Sequence, residues 1–270
     1  MNGHIDREMI ANPIATPVEL GSTPLPLCVV LDVGGTLVPH GPRPLHAWID
    51  DADVLLLAEL ASAPQTFVAV VSGRRRVELD AMLGRVPGLF LVAEHGAWRR
   101  LPQGTWQPVP LTGTAPDAVE HELAAIVGQY AGATIERKRW SICVQFAQVA
   151  LAARDRLLSA TGRTMRRWIA ERPEYEILEG TCALEIRHRG ANKGSAVDWL
   201  RESLPSGTKL VAIGDDPTDE DTFGRLGPID VGIHVGPTDR PTRAHAHLPD
   251  TASVHAFLRE LVRARRSAAR

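Results

Sequence analysis

The sequence predicts an α/β protein in two domains, built around a parallel sheet. Short, continuous apolar runs at 27–31, 67–71 and 209–213 are typical of parallel strands that are buried on both faces. Segments with apolar residues at helical spacing lie between them, which favours repeated strand–helix–strand units. A segment of different character interrupts this alternation over 100–184, and it predicts a second unit inserted into the first.

The elements of the first unit follow one another in a regular order. Residues 1–22 mix Asn, Pro, Gly and charged residues without a period, so we expect a poorly ordered tail there. The strand at 27–31 is followed by a helix over 51–62, a strand over 67–71, a helix over 75–83 and a strand over 89–92. After the interruption we expect a helix over 192–203, strands over 209–213 and 231–235, and a closing helix over 254–262.

The interrupting segment begins with the turn residues of 101–104. Its expected elements are a helix over 117–130, a strand over 135–146, a helix over 150–170 and strands over 175–178 and 183–186. The predicted organisation is therefore a flexible tail over 1–22, a core domain from 23–99 and 185–270, and an inserted domain over 100–184.

Length, composition and charge are those of an ordinary soluble globular protein. The 270 residues are 44% hydrophobic and 23% charged, and the net charge of −2 gives no electrostatic footprint for nucleic acid. We find no signal peptide and no apolar run near the ~20 residues that a membrane span needs. Cys28, Cys143 and Cys182 lack metal-ligand spacing and fit a reducing compartment. We expect a cytoplasmic monomer or weak homodimer, with no nucleic-acid or membrane partner.

Polar side chains follow three of the predicted parallel strands. Asp32, Ser72 and Asp215 each stand at or just beyond a strand's carboxyl end, where ligands bind in open parallel sheets. Lys193, at the start of a predicted helix, is a fourth candidate. Asp32 could attack phosphorus as a nucleophile, while Ser72 and the point charge of Lys193 could hold a phosphoryl group. Together these residues predict a phosphoryl-transfer site.

Carboxylates near the third strand end predict a cation site. Asp215, Asp216 and Asp219 lie close to one another in sequence, and with Asp32 they offer the oxygen ligands that Mg²⁺ prefers. Any one of these residues alone is more typical of a turn or a helix cap. Their order, spacing and strand context agree, which favours a shared magnesium-dependent site.

Four segments resemble the motifs of the haloacid-dehalogenase (HAD) superfamily. Residues 32–37 (DVGGTL) are similar to its first motif, D-x-D-G-T-L, and 71–74 (VSGR) to its second. Lys193 and Gly194 match the third. The fourth, 214–223 (GDDPTDEDTF), is close to the G-D-D-x-T-D-E-D-x-F of trehalose-6-phosphate phosphatases, which 93–97 (AEHGA), 184–187 (LEIR) and 192–194 (NKG) also resemble. Over roughly 27–260, the chain resembles the trehalose-6-phosphate phosphatase family.

This resemblance implies a Rossmann-like HAD core with an inserted α/β cap of the C2 type. It implies a magnesium-dependent hydrolysis of trehalose 6-phosphate through an aspartyl-phosphate. The implied catalytic residues are Asp32, Ser72 and Lys193. The implied magnesium ligands are Asp32, the Gly34 carbonyl, Asp215, Asp216 and Asp219. The residues expected to bind substrate are Thr36, Arg74, Glu94, His95, Glu136, Lys138, Gln145, Glu179 and Arg187, with Glu94, His95 and Arg187 supporting the sugar from the core.

The sequence departs from the family in two places. Gly34 stands where the family has its general acid/base aspartate, whose proton transfers typically contribute ~10²–10⁴-fold. In a cap pattern of the form E-x-K-x-x-S-x-x-x-H-x-R, Gln145 and Ala147 replace the histidine and the arginine. These departures keep three alternatives open: a phosphatase for another disaccharide or polyol phosphate, a catalytically impaired sugar-phosphate-binding regulatory protein, and a change introduced at position 34.

Overall fold

The computed structural model describes residues 16–40, 48–180, 182–237 and 240–270. The strands are β1 Leu27–Leu31, β2 Thr66–Val71, β3 Leu89–Ala93, β4 Trp98–Arg100, β5 Gln107–Pro108, β6 Thr134–Arg137, β7 Ser141–Gln145, β8 Tyr175–Gly180, β9 Ala183–His188, β10 Lys209–Gly214, β11 Val231–Val235 and β12 Ala246–Leu248. The helices are α1 Pro17–Gly21, α2 Asp51–Ala61, α3 Arg76–Leu83, α4 Asp117–Val127, α5 Leu151–Ile169, α6 Lys193–Ser203, α7 Asp219–Phe223 and α8 Thr251–Ala268.

The larger sheet has eight strands in the order β12-β11-β10-β1-β2-β3-β4-β5. The strands from β12 to β3 are mutually parallel, and β4 and β5 extend the sheet in antiparallel fashion. Side chains of β1 alternate between two apolar clusters, with Leu27, Val29 and Leu31 in one and Cys28 and Val30 in the other. The predicted parallel core, buried on both faces, is confirmed.

The register of β1 brings the predicted polar residues to one edge. Leu31 lies opposite Val70 of β2 and Ile213 of β10. The residues just beyond these three positions are therefore neighbours, although 137 residues lie between the end of β2 and the start of β10 in the chain.

The smaller sheet is antiparallel throughout, in the order β6-β7-β9-β8. Helices α4 and α5 pack on it and close a second apolar cluster that includes Leu123, Ile142, Leu157 and Ile186. We call β6 to β9 together with α4 and α5 the inserted unit.

Two features of this part differ from the sequence-based expectation. The single strand expected over 135–146 is a hairpin of β6 and β7, with Ile135 opposite Val144. The reversal falls on Lys-Arg-Trp at 138–140, which carries no Gly, Pro or Asn as a turn signal. In addition, β9 runs to His188, so residues 185–188 pair in the smaller sheet, while β4 and β5 carry the larger sheet past residue 100.

The amino-terminal prediction was wrong for residues 17–21, because they form the helix α1. Thr16 and Glu19 make a reciprocal capping box at its start. Leu20 is buried, and α1 packs on α8 so closely that a Cβ at Gly21 would lie 2.3 Å from that of Ala264. The rest of the expected tail, 1–15, lies outside the described residues. Across the part of the chain that the structure describes, no helix has the length and apolar character to cross a membrane.

Candidate active site

The predicted nucleophile and the predicted lysine meet at the carboxyl edge of the larger sheet. Asp32 directly follows β1 and is 7% exposed. Lys193 is the first residue of α6, whose start is fixed by Asn192 accepting from the Ser195 backbone N–H. The Lys193 Nζ atom lies 3.0 Å from Asp32 Oδ1 and 2.8 Å from Asp219 Oδ1. One buried ammonium group therefore bridges two buried carboxylates.

Three carboxylates form an acidic cluster around this lysine. One oxygen each from Asp32, Asp215 and Asp219 lie within 4.8 Å of one another. Burial, with the neighbouring negative charges, raises the pKa of Asp32 and of Asp219. Burial alone would lower the pKa of Lys193, but the two carboxylates outweigh it and raise that pKa. Three carboxylates facing one ammonium group leave an excess of negative charge on hard oxygen donors, which fits a divalent cation.

The Asp215 carboxylate is oriented by two neighbours from the segment after β1. Thr36 Oγ1 donates to Asp215 Oδ1 at 3.2 Å, and His40 Nε2 lies 2.6 Å from Asp215 Oδ2. Thr36 is fully buried and is not among the residues that line the cavity, and it holds Asp215; its expected role as a substrate ligand stays a prediction. The sequence analysis missed His40, because no motif or strand end marks its position.

The remaining members of the fourth motif are tied to each other. Asp216 lines the cavity and its Oδ1 accepts from the Thr218 N–H at 3.0 Å. Its own N–H donates to Asp219 Oδ2 at 3.1 Å. Asp216 therefore faces the cavity, whereas Asp219 lies behind it against Lys193.

The loop after β2 forms a second wall of the cavity. Ser72 is buried, and its Oγ accepts from the Arg74 N–H at 3.3 Å. The His95 ring covers Gly73 so closely that a Cβ there would lie 2.5 Å from His95 Cε1. Only glycine fits beneath this ring, and the backbone of the loop stays open toward the cavity.

The cavity has a volume of about 350 Å³ and spans both sheets. Its lining from the larger sheet and adjoining loops includes Asp32, Gly34, His40, Ser72, Arg74, Lys193 and Asp216. Its lining from the inserted unit includes Glu136, Lys138, Gln145, Glu179, Glu185 and Arg187. Residues that are far apart in sequence thus share one space.

A buried polar network covers the wall formed by the inserted unit. Lys138 Nζ lies 3.0 Å from Glu185 Oε1 and 3.8 Å from Glu136 Oε2, to which Gln145 Nε2 donates at 3.2 Å. Burial raises the pKa of Glu136. Burial would also raise the pKa of Glu185, but Lys138 and His95 outweigh it and hold that pKa well below its usual value. Glu185 was not among the predicted site residues, although it lies in the segment 184–187 (LEIR) that resembles the family, and that resemblance was the signal that could have found it.

The segment after β3 joins the two sheets. His95 Nε2 lies 3.2 Å from Glu185 Oε2, and burial lowers the pKa of His95. Glu94 does not line the cavity. Its Oε1 accepts from the Arg76 N–H at 3.3 Å and its Oε2 from the Arg139 N–H at 3.0 Å. Its expected role as a substrate ligand stays a prediction, and in this structure both of its oxygens face backbone N–H groups.

Arg187 lies in β9 of the smaller sheet rather than in the core that the sequence analysis gave it. It pairs with Glu176 of β8, and its Nη1 donates to Asp221 Oδ2 of α7 at 2.9 Å. Although it lines the cavity, its guanidinium group also joins the two sheets.

Gly34 lines the cavity with open space beside it. Among the described residues, no atom lies within 4 Å of a Cβ built at this position. Its φ is outside the left-handed range that favours glycine, which distinguishes it from Gly35 at φ +76°. The backbone at position 34 therefore does not require glycine.

Comparisons with known proteins agree on one group of enzymes. A family model described as trehalose-phosphatase matches residues 30–252. Trehalose-6-phosphate phosphatase of Escherichia coli (strain K12) is 33% identical over 226 residues, which are 82% of this chain and 82% of that protein.

Solved structures agree on the fold. The C-terminal domain of Candida albicans trehalose-6-phosphate phosphatase aligns with a TM-score of 0.81 at 22% identity, covering 91% of this chain and 96% of that one. A haloacid dehalogenase-like hydrolase from Bacillus subtilis aligns with a TM-score of 0.60 at 12% identity, covering 86% and 98%.

Proposed function

We propose that this chain, which belongs to the trehalose-phosphatase family and is a phosphoric monoester hydrolase of the HAD type, hydrolyses trehalose 6-phosphate to trehalose and phosphate. The match of the trehalose-phosphatase family model over residues 30–252 confirms the family that the motifs predicted. The observation that carries the substrate proposal is the cavity of about 350 Å³ described above. It joins Asp32, Ser72 and Lys193 at one end to Glu136 and Lys138 at the other. A phosphate-binding end and a polar, hydroxyl-binding end suit a sugar phosphate.

At the phosphate end, we assign the chemistry to the residues around Asp32. The Asp32 carboxylate attacks phosphorus, the P–O bond to the sugar breaks, and an aspartyl-phosphate forms that water then hydrolyses. Lys193 and Ser72 hold the non-bridging oxygens of the phosphoryl group, since a point cation and a hydroxyl beside a turn suit that charge. The closeness of Lys193 to Asp32 supports this assignment.

The acidic cluster suits Mg²⁺. Asp32 and Asp215 would hold the ion, with the Gly34 carbonyl and with Asp216 or Asp219 nearby. When bound, it would offset the repulsion between an anionic nucleophile and an anionic substrate. Thr36 and His40 keep the Asp215 carboxylate turned toward this place.

At the sugar end, we assign recognition to the inserted unit acting as a cap. Glu136, Lys138, Gln145 and Glu179 offer both donors and acceptors to sugar hydroxyls. The unit would close over the phosphate end and exclude water. The network that ties Lys138 to Glu185 holds these side chains in place before the substrate arrives.

Gln145 and Gly34 support two alternatives. With Gln145 and Ala147 in place of the family's histidine and arginine, another disaccharide or polyol phosphate could be the substrate. With Gly34 in place of the acid, the chain could bind a sugar phosphate as a regulator and turn it over poorly. We further propose a cytoplasmic monomer or weak homodimer, and the three free cysteines fit that compartment.

The test is phosphate release from a panel that contains trehalose 6-phosphate, other disaccharide and polyol phosphates and an aryl phosphate. We expect trehalose 6-phosphate to give the highest kcat/KM among the sugar phosphates, and Asp32→Asn to abolish all release. Calorimetric binding of trehalose 6-phosphate to the unsubstituted protein, without phosphate release from it, would identify a regulator that binds without turnover. Equal use of every sugar phosphate would contradict the substrate proposal.

Variants of the cavity-lining residues of the inserted unit test the proposed sugar recognition separately from the chemistry at the phosphate. Glu136→Ala and Lys138→Ala should each raise the KM for the sugar phosphate about tenfold or more, as expected for a lost hydrogen bond to a charged group. Glu122→Ala is the matched control, since Glu122 is exposed on α4 of the same unit and pairs only with Arg167 among the ion pairs of the described residues. An unchanged KM in both cap variants would remove the cap from substrate binding.

A further inference from the structure

The turn of the β6–β7 hairpin is fastened to the larger sheet by one carboxylate. Glu94 follows β3, is 9% exposed, and reaches two backbone N–H groups with its two oxygens. One N–H belongs to Arg76, the first residue of α3, and the other to Arg139, in the hairpin turn of the inserted unit. A single side chain therefore connects the start of a core helix to the sugar-binding hairpin.

The backbone at Glu94 is held in an uncommon conformation to make this connection. Glu94 and His95 have φ values of 52° and 58°, in the left-handed region that residues other than glycine seldom adopt. The Glu94 N–H donates to the Arg74 carbonyl and the His95 N–H to the Ser72 carbonyl. The strained segment is thus bonded directly to the phosphate-binding loop, and such strain typically persists where it serves a function.

Two arginines and a tryptophan complete the junction. The Arg76 and Arg139 guanidinium groups lie 4.8 Å and 5.5 Å from the centroid of the Trp98 ring. Trp98 also packs against the apolar cluster of the larger sheet and against that of the inserted unit. The bond from Glu94 to Arg139 is therefore made in a partly buried junction, where the Glu94 carboxylate itself is buried and its hydrogen bonds are charge-assisted.

The position of this bond gives it a role in recognition. Arg139 directly follows Lys138, and Glu136 lies two residues before that on the same hairpin. α3 has no side-chain cap from Arg75, and Glu94 supplies the acceptor at its start. Without the Glu94 carboxylate, the hairpin turn could shift relative to the Ser72 loop. A shift of this kind would misplace a bound sugar relative to its phosphate.

We propose that Glu94 is a positioning residue that sets the distance between the sugar-binding hairpin and the phosphate-binding loop. It does not touch the substrate. This inference rests on the proposed function for its effect on sugar phosphates, whereas the fastening of the hairpin can be tested without any substrate.

The test compares Glu94→Ala, which removes both acceptors, with Glu94→Gln, which keeps one acceptor oxygen. Asp250→Ala is the matched control, because Asp250 also accepts a backbone N–H, from Ser253 at the start of α8. Hydrogen–deuterium exchange of the hairpin turn should accelerate about tenfold in Glu94→Ala, the change expected for losing a hydrogen bond to a charged group. In Asp250→Ala, the acceleration should appear only at the start of α8.

Kinetics supply the second readout. In Glu94→Ala, the KM for the sugar phosphate should rise about tenfold, while kcat and KM for an aryl phosphate, which does not reach the hairpin, stay nearly unchanged. If Glu94→Ala does not fold, Glu94→Gln gives the same readouts with a smaller change. Unaltered exchange in the hairpin turn, or equal KM changes for both substrates, would overturn the proposal. If the unsubstituted protein turns over no sugar phosphate, the proposed function fails, and the exchange measurement still decides the role of Glu94.

Discussion

Replacing Gly34 by aspartate should convert a slow sugar phosphatase into a fast one. The cavity has room for the new side chain, because no described atom lies within 4 Å of a Cβ at this position. The backbone there is outside the left-handed range, so a side chain adds no strain. The new carboxyl would enter the same cavity as Asp32 and Lys193, where the proposed reaction breaks the bond to the sugar.

The size of the gain in turnover depends on whether another side chain already donates the proton that the missing aspartate would supply. Trehalose is a poor leaving group unless its oxygen is protonated, and general acid–base catalysis contributes ~10²–10⁴-fold, or about 3–5 kcal/mol of activation free energy. Both oxygens of Glu94 are occupied by backbone N–H groups. Burial lowers the pKa of His95, whose Nε2 faces Glu185, so this histidine is neutral and a poor proton donor near pH 7. Neither residue replaces the missing acid, and the full gain is expected.

The assay sets two substrates against three proteins. Trehalose 6-phosphate needs the acid, whereas an aryl phosphate releases a phenolate without it. Gly34→Asp should raise turnover of the sugar phosphate by ~10²–10⁴-fold and that of the aryl phosphate by less. Gly34→Asn has nearly the same shape without an acidic proton, so it should leave sugar-phosphate turnover low. Rapid turnover by the unsubstituted protein, with little change in Gly34→Asp, would refute this reasoning and make His40→Ala the next variant to measure.

Three further predictions concern pH, metal and stability. Folding lowers the pKa of His95 from its ordinary value of 6.5, so below that pH the unfolded chain binds a proton that the folded chain does not. Stability should therefore fall as the pH drops below 6.5. His95→Gln should flatten this part of a profile of melting temperature against pH, and the control His121→Gln, on the exposed face of α4, should leave it unchanged. Asp215→Asn should weaken Mg²⁺ binding in calorimetry at least about tenfold, and chelation should abolish phosphate release until Mg²⁺ is returned. Arg265 is buried and donates to the backbone carbonyls of Thr23, Leu25 and Gln65. Arg265→Met should lower the free energy of unfolding by about 3 kcal/mol in a denaturant titration. Aryl-phosphate turnover by the folded fraction should stay unchanged.

The core could be predicted because its signals are local. An apolar run ending in Asp32, and another ending near Asp215, fix both a buried strand and the edge at which its last polar residue stands. The conjunction of Asp32, Ser72 and Asp216 around one cavity follows from that rule, whereas Lys193 stands at the start of a helix and was predicted from its charge and from the third motif.

The roles of Thr36, Glu94 and Glu185 could not be predicted in the same way. Sequence pattern shows which residues lie near a strand end, but not which way a carboxylate turns. Glu94 turns toward two backbone N–H groups, and one of them belongs to a hairpin 45 residues later in the chain. The hairpin itself was missed because its turn is formed by Lys-Arg-Trp, which contains none of the residues that signal a turn in sequence.

The position of β1 between β2 and β10 has a consequence for how the chain folds during synthesis. β1 can pair with β2 as soon as residue 71 has emerged, and the sheet of the inserted unit can close once β9 has been made. The pairing with β10 joins residues about 180 positions apart, so it waits until residues 209–213 have been made. At ~5–20 residues per second, the ribosome leaves one side of β1 unpaired for roughly ten to thirty seconds. During that interval the nascent chain exposes an apolar strand edge, which makes β1 the segment where chaperone binding and premature aggregation should concentrate.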